Sequence, residues 1–557
     1  MTRVALLVIL LLAATGCRPS SATTNAPKSE GPPWFEDVTA KSGLNAFVHD
    51  AGPITPAFFL PQSFGSGVAV IDFDGDGRLD VYLVHNGGPT GKKNQLFHQE
   101  PDGTFRDVSA GSGLDVAGFG LGVAVGDVNN DGRPDVLVTE FGATRLFLNL
   151  GGGKFREVTR EAGLDNPLLA TSAAFFDYDR DGHLDLIVVN YVDLDPSIKC
   201  GGDYCGPNVY KGTVPRLYRN LGPQRDGGVK FEDVTIRAGL GALPGKGLGV
   251  LCADFTGDRW PDIFIANDLL ANYLWVNQKD GTFKEEALPR GLAFTATANP
   301  AANMGVAWAD VDGNGLPDLF VTHLRLETHT LWTQEPRGFF QDRTVAAGLT
   351  AGERRTGFGC ALVDFDRDGW PDLAFVNGGV IRNPGAKPDP AFWPAYAERH
   401  QLFRNSGGGK FQEISDTSPA LCGTPGVGRG LAVGDFDNDG APDLLITEAG
   451  GPPKLLRNVA PAAGHWLTVR ALIPKLKRDA YGAEVTVSAG GKSYWRLIQP
   501  GYSYLSSNDV RAHFGLGPAA NYDSIRVIWP DGLEESFPGG PADRQVELRQ
   551  GEGRPAK

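Results

Sequence analysis

Nine residues, DFDGDGRLD from Asp72 to Asp80, place carboxylates at the first, third, fifth and ninth positions and a Gly at the sixth. Acids at this spacing on a tight turn suit a hard divalent cation. Ca²⁺ takes roughly six to eight oxygen ligands in flexible geometry; the sixth-position Gly permits the sharp turn and the seventh residue offers its backbone carbonyl. The pattern recurs six times: DVNNDGRPD (Asp127 to Asp135), DYDRDGHLD (Asp177 to Asp185), DFTGDRWPD (Asp254 to Asp262), DVDGNGLPD (Asp310 to Asp318), DFDRDGWPD (Asp364 to Asp372) and DFDNDGAPD (Asp435 to Asp443). Three or four carboxylates within a few ångströms repel one another strongly, which counts against metal-free turns that merely cap hairpins.

Around each loop the chain repeats four short apolar runs. One leads in, as in FGSGVAVID (Phe64 to Asp72), and one leads out, as in DVYLVH (Asp80 to His85). A third reads QLFHQ, RLFLN, RLYRN, YLWVN, QLFRN or KLLRN, and a fourth reads TFRDVS, KFREVT or KFEDVT. Runs rich in Val, Ile, Leu and Phe, bounded by Gly, Asp or Asn, are strands. A lone four-stranded sheet cannot cover both its faces, so seven such units predict an all-β, seven-bladed β-propeller over residues 34–458. Closure is expected from WFEDVTAKSGL (Trp34 to Leu44), a fourth-strand sequence with no blade before it, because the last blade stops after KLLRN at Asn458 without one. Two long spacings, one holding Cys200 to Cys205 and one holding Ile381 to His400, both follow a second strand and are expected on one face. From His465 the pattern becomes HWLTVRAL, GAEVTVSAG and SYWRLIQPG without acidic loops, predicting a small C-terminal β-sandwich-like domain over 461–547 and a disordered tail over 548–557.

The formal charge of −14 excludes nucleic acid as a natural partner, but 25 of the acids are the loop aspartates, so the acidity is a metal-site signature. The N-terminus reads as an export signal over 1–16: Arg3, the apolar run Val4 to Ala14, then Thr15, Gly16 and Cys17. Small residues running into a single Cys resemble a bacterial lipobox. That implies lipidation of Cys17 and a membrane anchor at the cell envelope or surface; an ordinary signal peptide is the alternative. Residues 17–33 have the composition of a flexible tether. In an exported chain, Cys200 and Cys205 in KCGGDYCG are close enough to form a small disulfide. Cys252 and Cys360 fill apolar slots where other repeats have Val.

Seven polar residues end the second strands, five positions past each loop: His85, Glu140, Asn190, Asn267, His323, Asn377 and Glu448. Strand geometry places them opposite the loops, as a ring of ligand-binding candidates at the channel mouth. With blades seven and one adjacent, Glu448, His85 and Glu140 are candidates for a transition metal or acid-base work. The simpler reading is that they cap strand ends. In the C-terminal block, Asn508, Asp509 and His513 are read as turn and core-edge residues.

The acidic loops with Phe-Gly and Gly-rich leads resemble the FG-GAP or VCBS repeat known from the integrin α-chain head. GHWLTVRAL, SSNDVRAHFGLG (Ser506 to Gly517) and IRVIWPDG (Ile525 to Gly532) resemble the ASPIC/UnbV domain. Together with YCGPNVY and RLYRN, they resemble bacterial relatives of the vertebrate cartilage acidic protein family. The resemblance implies calcium in the blade hairpins. Its ligand roles carry over to Asp72, Asp74, Asp76 and Asp80; Asp127, Asn129, Asp131 and Asp135; Asp177, Asp179, Asp181 and Asp185; Asp310, Asp312, Asn314 and Asp318; Asp364, Asp366, Asp368 and Asp372; and Asp435, Asp437, Asp439 and Asp443. The fourth loop departs, with Thr256 at the third position and Arg259 in the Gly position, and its occupancy is doubtful; about six Ca²⁺ are expected. A calcium-dependent surface module that binds an extracellular protein or glycan is the expected function. A polysaccharide lyase or hydrolase working at the propeller mouth is the rival.

Overall fold

The computed structural model describes residues 31–54, 59–198, 200, 205–225, 227–350, 354–386 and 392–555. The export signal, Cys17 and nearly all of the tether lie outside them.

Seven sheets of sequence-ordered antiparallel strands form the blades. Blade 1 consists of Val68–Ile71, Asp80–Leu83, Gln95–Gln99 and Phe105–Asp107. The inner strands Val68–Ile71, Gly120–Gly126, Ala170–Phe176, Gly247–Ala253, Val306–Ala309, Gly357–Val363 and Gly428–Gly434 each pack beside the next, and the last packs beside the first, so the ring closes at seven. Both faces of each blade are covered, which is why the strands read as continuous apolar runs rather than alternating ones. Along Val68–Ile71, Val68 and Val70 pack with Ala432, Leu445 and Leu455 of blade 7. Ala69 and Ile71 face the other way, onto Val123, Val125 and Val136 of blade 2.

Inner-strand glycines set how closely blades approach: a Cβ at Gly305 would collide with the Phe358 carbonyl, and one at Gly249 with the Met304 carbonyl. The ring is sealed by Phe35–Asp37, which pairs antiparallel with Lys454–Asn458 in the register Phe35 to Asn458 and Asp37 to Leu456. Phe35 packs edge-on against Phe365 of blade 6, with centroids 5.2 Å apart.

The C-terminal domain is two packed sheets. One is centred on His465–Ile473, and the other is built on Glu484–Ala489 and Asn521–Ile528. Leu467, Val485, Phe514, Val527 and Trp529 form part of its core. The expected tail over 548–557 is corrected. Leu548 and Arg549 finish a strand parallel to His465–Ile473, and Arg554–Pro555 returns to pair with the edge at Glu535 and Ser536. That return covers an edge strand otherwise left open.

The domain sits on the propeller face that carries the acidic loops, and one of its turns enters the channel. Ser506–Ser507 pairs parallel with Val68 and Ala69 of blade 1. Ser503 exchanges backbone hydrogen bonds with Val306 of blade 5 and its Oγ accepts from Cys360 N of blade 6 at 3.0 Å. Asn508 Oδ1 accepts from Val433 N of blade 7 at 2.9 Å. Leu505 and Tyr504 are buried on the axis.

Cys200 and Cys205 are joined in a disulfide. Cys252, Cys360 and Cys422 are free and buried.

Phe35→Ala should destabilise the protein by about 3–5 kcal/mol, the usual result of removing a buried phenyl, because it opens the ring as well as a cavity. Urea unfolding checks this, and a loss under about 1 kcal/mol contradicts the closure role.

Candidate metal centres and the channel mouth

Each acidic loop is organised by its first and last carboxylates. Asp72 accepts from the backbone N–H groups of Gly75 (2.8 Å), Asp76 (3.1 Å) and Gly77 (3.0 Å). Asp364 does the same for Asp368 and Gly369, and Asp435 for Asp439 and Gly440. The sixth position has φ +85° at Gly77, the left-handed region that Gly enters freely. Asp80, at the ninth position, accepts from Phe73 N at 3.2 Å and from Gln99 N of the third strand at 2.8 Å. The same two bonds recur at Asp135, Asp185, Asp262, Asp318, Asp372 and Asp443. The ninth residue therefore ties every loop to its own sheet.

This geometry draws the first, third and ninth side chains together. Asp72, Asp74 and Asp80 bring one oxygen each within 4.8 Å of one another, as do Asp177, Asp179 and Asp185; Asp310, Asp312 and Asp318; and Asp364, Asp366 and Asp372. These groups could hold a metal ion. Asp127 and Asn129 with Asp135, and Asp435 and Asp437 with Asp443, occupy the same positions in loops two and seven. The fifth-position side chains each give one oxygen to the backbone two residues on: Asp76 accepts from Arg78 N at 2.9 Å, Asp131 from Arg133 N at 3.0 Å, Asp181 from His183 N at 3.0 Å, Asn314 from Leu316 N at 2.7 Å, Asp368 from Trp370 N at 3.0 Å and Asp439 from Ala441 N at 2.9 Å.

Burial pushes the first-position carboxyls up, Asp127 and Asp310 to about 6, Asp177 and Asp435 to about 7, and Asp364 to about 8. The ninth-position acids shift in the same direction for the same reason: Asp80 rises to about 7, and Asp135, Asp185, Asp318, Asp372 and Asp443 stand well above the ordinary carboxylate value. Arg478, Arg496 and Arg511 of the C-terminal domain only partly offset this burial, and buried acids converging so closely are the donor set a divalent cation satisfies.

The fourth loop is built differently. Arg259 takes φ +72° where the others have Gly, and its side chain leaves the loop to pair with Glu534 of the C-terminal domain at 2.6 Å. The cation beside Asp254 is Arg337, at 3.3 Å, while Lys279 reaches Asp258 at 3.2 Å. Protein cations thus stand where the other loops leave room for an ion.

A second set of residues, unassigned from the sequence, ends the third strands. Asn149 Nδ2 donates to the Phe73 carbonyl in the loop of the preceding blade, and Asn220, Asn277, Asn405, Asn458 and Gln99 repeat this toward Val128, Tyr178, Val311, Phe365 and Phe436. Each amide stitches one loop to the next blade. The recurrent final Asn or Gln of RLFLN, RLYRN and QLFHQ was the visible signal.

The seven second-strand residues are strand-end caps, six of them buried and Glu448 partly exposed, each engaged in or beside its own blade rather than forming an open ring. His85 Nδ1 accepts from Asp50 N at 2.9 Å. Asn190, Asn267 and Asn377 donate to the carbonyls of Val214, Ala271 and Arg399, and His323 Nε2 meets Thr330 at 2.9 Å. Glu140 pairs with Arg145 at 3.4 Å, and burial pushes its carboxyl to about 7. Glu448 is half-buried, and His400 and Lys454, the latter at 2.6 Å, outweigh desolvation and hold it at about 2. Glu448, His85 and Glu140 thus each contact groups other than one another, Lys454, Asp50 and Arg145. The feature that does occupy the mouth is an apolar cavity of about 500 Å³ lined by Phe64, Tyr191, Leu248, Met304, Phe358 and Ile381 among others. Gly206 and Pro207 of one insertion and Val380 to Arg382 of the other reach its rim, so both insertions lie on this face.

On the opposite face the C-terminal domain presents arginines to the loops. Arg478 donates to Asn130 Oδ1 at 2.9 Å and to the Gly182 carbonyl at 3.2 Å. Arg511 donates to Asn438 at 2.7 Å, and His513 meets the Gly440 carbonyl at 2.9 Å.

These repeats and this tail define a class. Residues 72–138, 127–188, 254–321 and 388–446 match the FG-GAP-like repeat, and residues 474–555 match the ASPIC and UnbV family. The chain is an FG-GAP-like repeat β-propeller protein with a C-terminal ASPIC and UnbV domain. It is similar to Cartilage acidic protein 1 of Xenopus tropicalis, 26% identical over 505 residues that cover 85% of this chain and 72% of that protein. Against the Mus musculus protein of that name it is 28% identical over 312 residues, covering 54% of this chain and 44% of the relative, so it spans under half of that relative's length. Among solved structures, the fold is similar to BBS1N in complex with ARL6DN, at 11% identity and TM-score 0.41, covering 77% of this chain and 98% of that one. Among the described residues no helix is long and apolar enough to cross a membrane.

In chelator, the folded protein keeps protons on first-position carboxyls that the unfolded chain, near the ordinary Asp value of about 3.9, has released. Folded values raised to about 6, 7 and 8 at Asp127, Asp177 and Asp364 therefore make stability fall as pH rises from about 4 through that range. Thermal melts in EDTA should show Tm declining between about pH 5 and 8, and a Tm that climbs across that window contradicts the assignment.

Proposed function

We propose that this protein is an exported, calcium-stabilised binding module, held at the cell envelope by lipid on Cys17, that takes an extracellular partner on its insertion-bearing face. The observation that carries this reading is the apolar cavity on the propeller axis: it is open on the face that the C-terminal domain leaves uncovered and is framed by both insertions. Concave, mostly apolar sites with a few polar groups are where ligands bury most surface. Here the polar element is Asp268, which lines the cavity and accepts from the Tyr191 hydroxyl. Apolar walls favour a protein partner that presents an apolar side chain over a glycan, whose hydroxyls would lose their water without gaining partners.

Calcium in this reading is architectural. It would sit among the first, third and ninth side chains of six loops, supplying the positive charge that the convergent carboxylates lack. The fourth loop, braced by Arg337 and Lys279, would hold none. The rival reading, a polysaccharide-active enzyme at the mouth, loses support because Glu448, His85 and Glu140 are each committed to strand-end contacts.

The test uses the Cys17→Ser chain as a soluble probe, whose appearance in the soluble fraction itself checks the anchor. Protein and glycan arrays are probed in calcium with this chain and with the same chain carrying Leu248→Arg, which places a charge in the cavity. Protein hits that weaken at least tenfold in the Leu248→Arg chain are expected. Hits unaffected by that change, or glycan hits alone, contradict the reading.

A further inference from the structure

The third strand of each blade lays one side chain over the acidic loop. In blades 3, 6 and 7 it is an arginine: Arg219 on Asp179 and Asp181 (2.6 and 2.9 Å), Arg404 on Asp366 and Asp368 (2.7 and 3.0 Å), and Arg457 on Asp437 and Asp439 (2.8 and 3.4 Å). Blades 2, 4 and 5 have Leu148, Val276 and Thr333 at this place. Blade 1 has His98, whose Nε2 lies 3.2 Å from Asp74 Oδ2 and 3.5 Å from Asp76 Oδ2.

We propose that blade 1 carries a second cation site, on the outer side of its acidic loop, in which His98 Nε2, Asp74 and Asp76 bind a divalent transition ion of the zinc and cobalt class. The three side chains bring one ligand atom each within 4.8 Å of one another. Tetrahedral ligands at about 2.0–2.1 Å from Zn²⁺ stand about 3.4 Å from each other, which the 3.2 and 3.5 Å separations of His98 Nε2 from the two carboxylates match. The other imidazole nitrogen is also placed: Nδ1 is 3.3 Å from Glu100 Oε1. A carboxylate behind a histidine fixes the tautomer, puts the proton on Nδ1 and leaves the Nε2 lone pair facing the ion. Phe73 holds the ring edge-on, with centroids 5.8 Å apart, so the imidazole is oriented before any ion arrives. Imidazole is a ligand that calcium rarely takes and that later first-row ions prefer, so the two ions would sort by ligand type.

The proposal rests on the calcium reading only in placing calcium on the inner group, Asp72, Asp74 and Asp80, with Asp74 shared between the two sites. Arg78 competes from the other side. It contacts Asp76 through Nη2 while its Nε is held by the Gln99 carbonyl at 2.9 Å. Arg78 must give up Asp76 when the ion binds.

An opposing account makes His98 a protonated stand-in for the arginines of blades 3, 6 and 7. The two accounts separate on His98→Arg, a substitution the sister blades already tolerate. The full chain is equilibrated in excess calcium with Co²⁺, dialysed, and both metals are counted by elemental analysis while the visible cobalt spectrum is recorded. One Co²⁺ per chain with absorption typical of low-coordinate cobalt is expected. His98→Arg should lose that cobalt with its calcium count and Tm unchanged, and Arg78→Ala should bind it more tightly, a gain that misfolding cannot produce. No cobalt in the wild-type chain, or the same uptake in His98→Arg, overturns the proposal. Because calcium is counted in the same samples, failure of the calcium reading is recorded separately.

Discussion

Carboxylates buried beside one another are tolerable only when positive charge stands among them, and the propeller is organised around that constraint. Each blade turns from its inner to its second strand at a loop whose ninth side chain is removed from water, as is the first in blades 2, 3, 5, 6 and 7, and burial moves the titration of these acids upward. The chain uses two kinds of compensation. In loop four it brings its own cations, Arg337 and Lys279. In blades 1, 3, 6 and 7 a third-strand side chain, His98, Arg219, Arg404 or Arg457, braces the third- and fifth-position carboxylates from outside, and the first- and ninth-position acids are left for an ion.

The same loops hold the ring together. The ninth-position acid ties loop to sheet, and the third-strand amide ties the sheet to the loop of the preceding blade, so disturbing one loop disturbs two blades. The C-terminal domain adds a third level of connection. Its turn from Ser503 to Asn508 bonds to the inner strands of blades 1, 5, 6 and 7, and its arginines reach the Asn130 side chain of loop two and the backbone of loops three and seven. A ring of seven sheets whose channel is plugged from the loop side leaves one free mouth, and that mouth is apolar.

The strand pattern, the count of seven and the closing strand were legible because each depends on local signals: acidic turns at fixed spacing, short Val- and Phe-rich runs, and an unpaired fourth-strand sequence at Trp34. The plug was not legible. GYSYLSSND reads as an ordinary loop, and nothing in a segment of that length says that it will pair with strands more than 400 residues earlier, at Val68 and Ala69. The channel-mouth ring shows a different limit. Polar residues after apolar runs marked strand ends correctly in place, but whether a polar side chain faces solvent or a neighbouring backbone is fixed by loops such as Gly87 to Asn94 and Ala397 to His400, whose course the pattern does not encode. The fifth loop positions likewise carry ligand-type residues, each of which gives one oxygen to the turn itself.

The central claim is that six loops hold calcium and the fourth does not. Native mass spectrometry of the folded chain, titrated with calcium from a chelated start, measures it most directly. Six calcium ions per chain, with the count unchanged by Asp254→Asn and reduced by one in Asp310→Asn, is the expected result. A chain that remains folded and takes up none, or one whose count falls when Asp254 is replaced, contradicts the account.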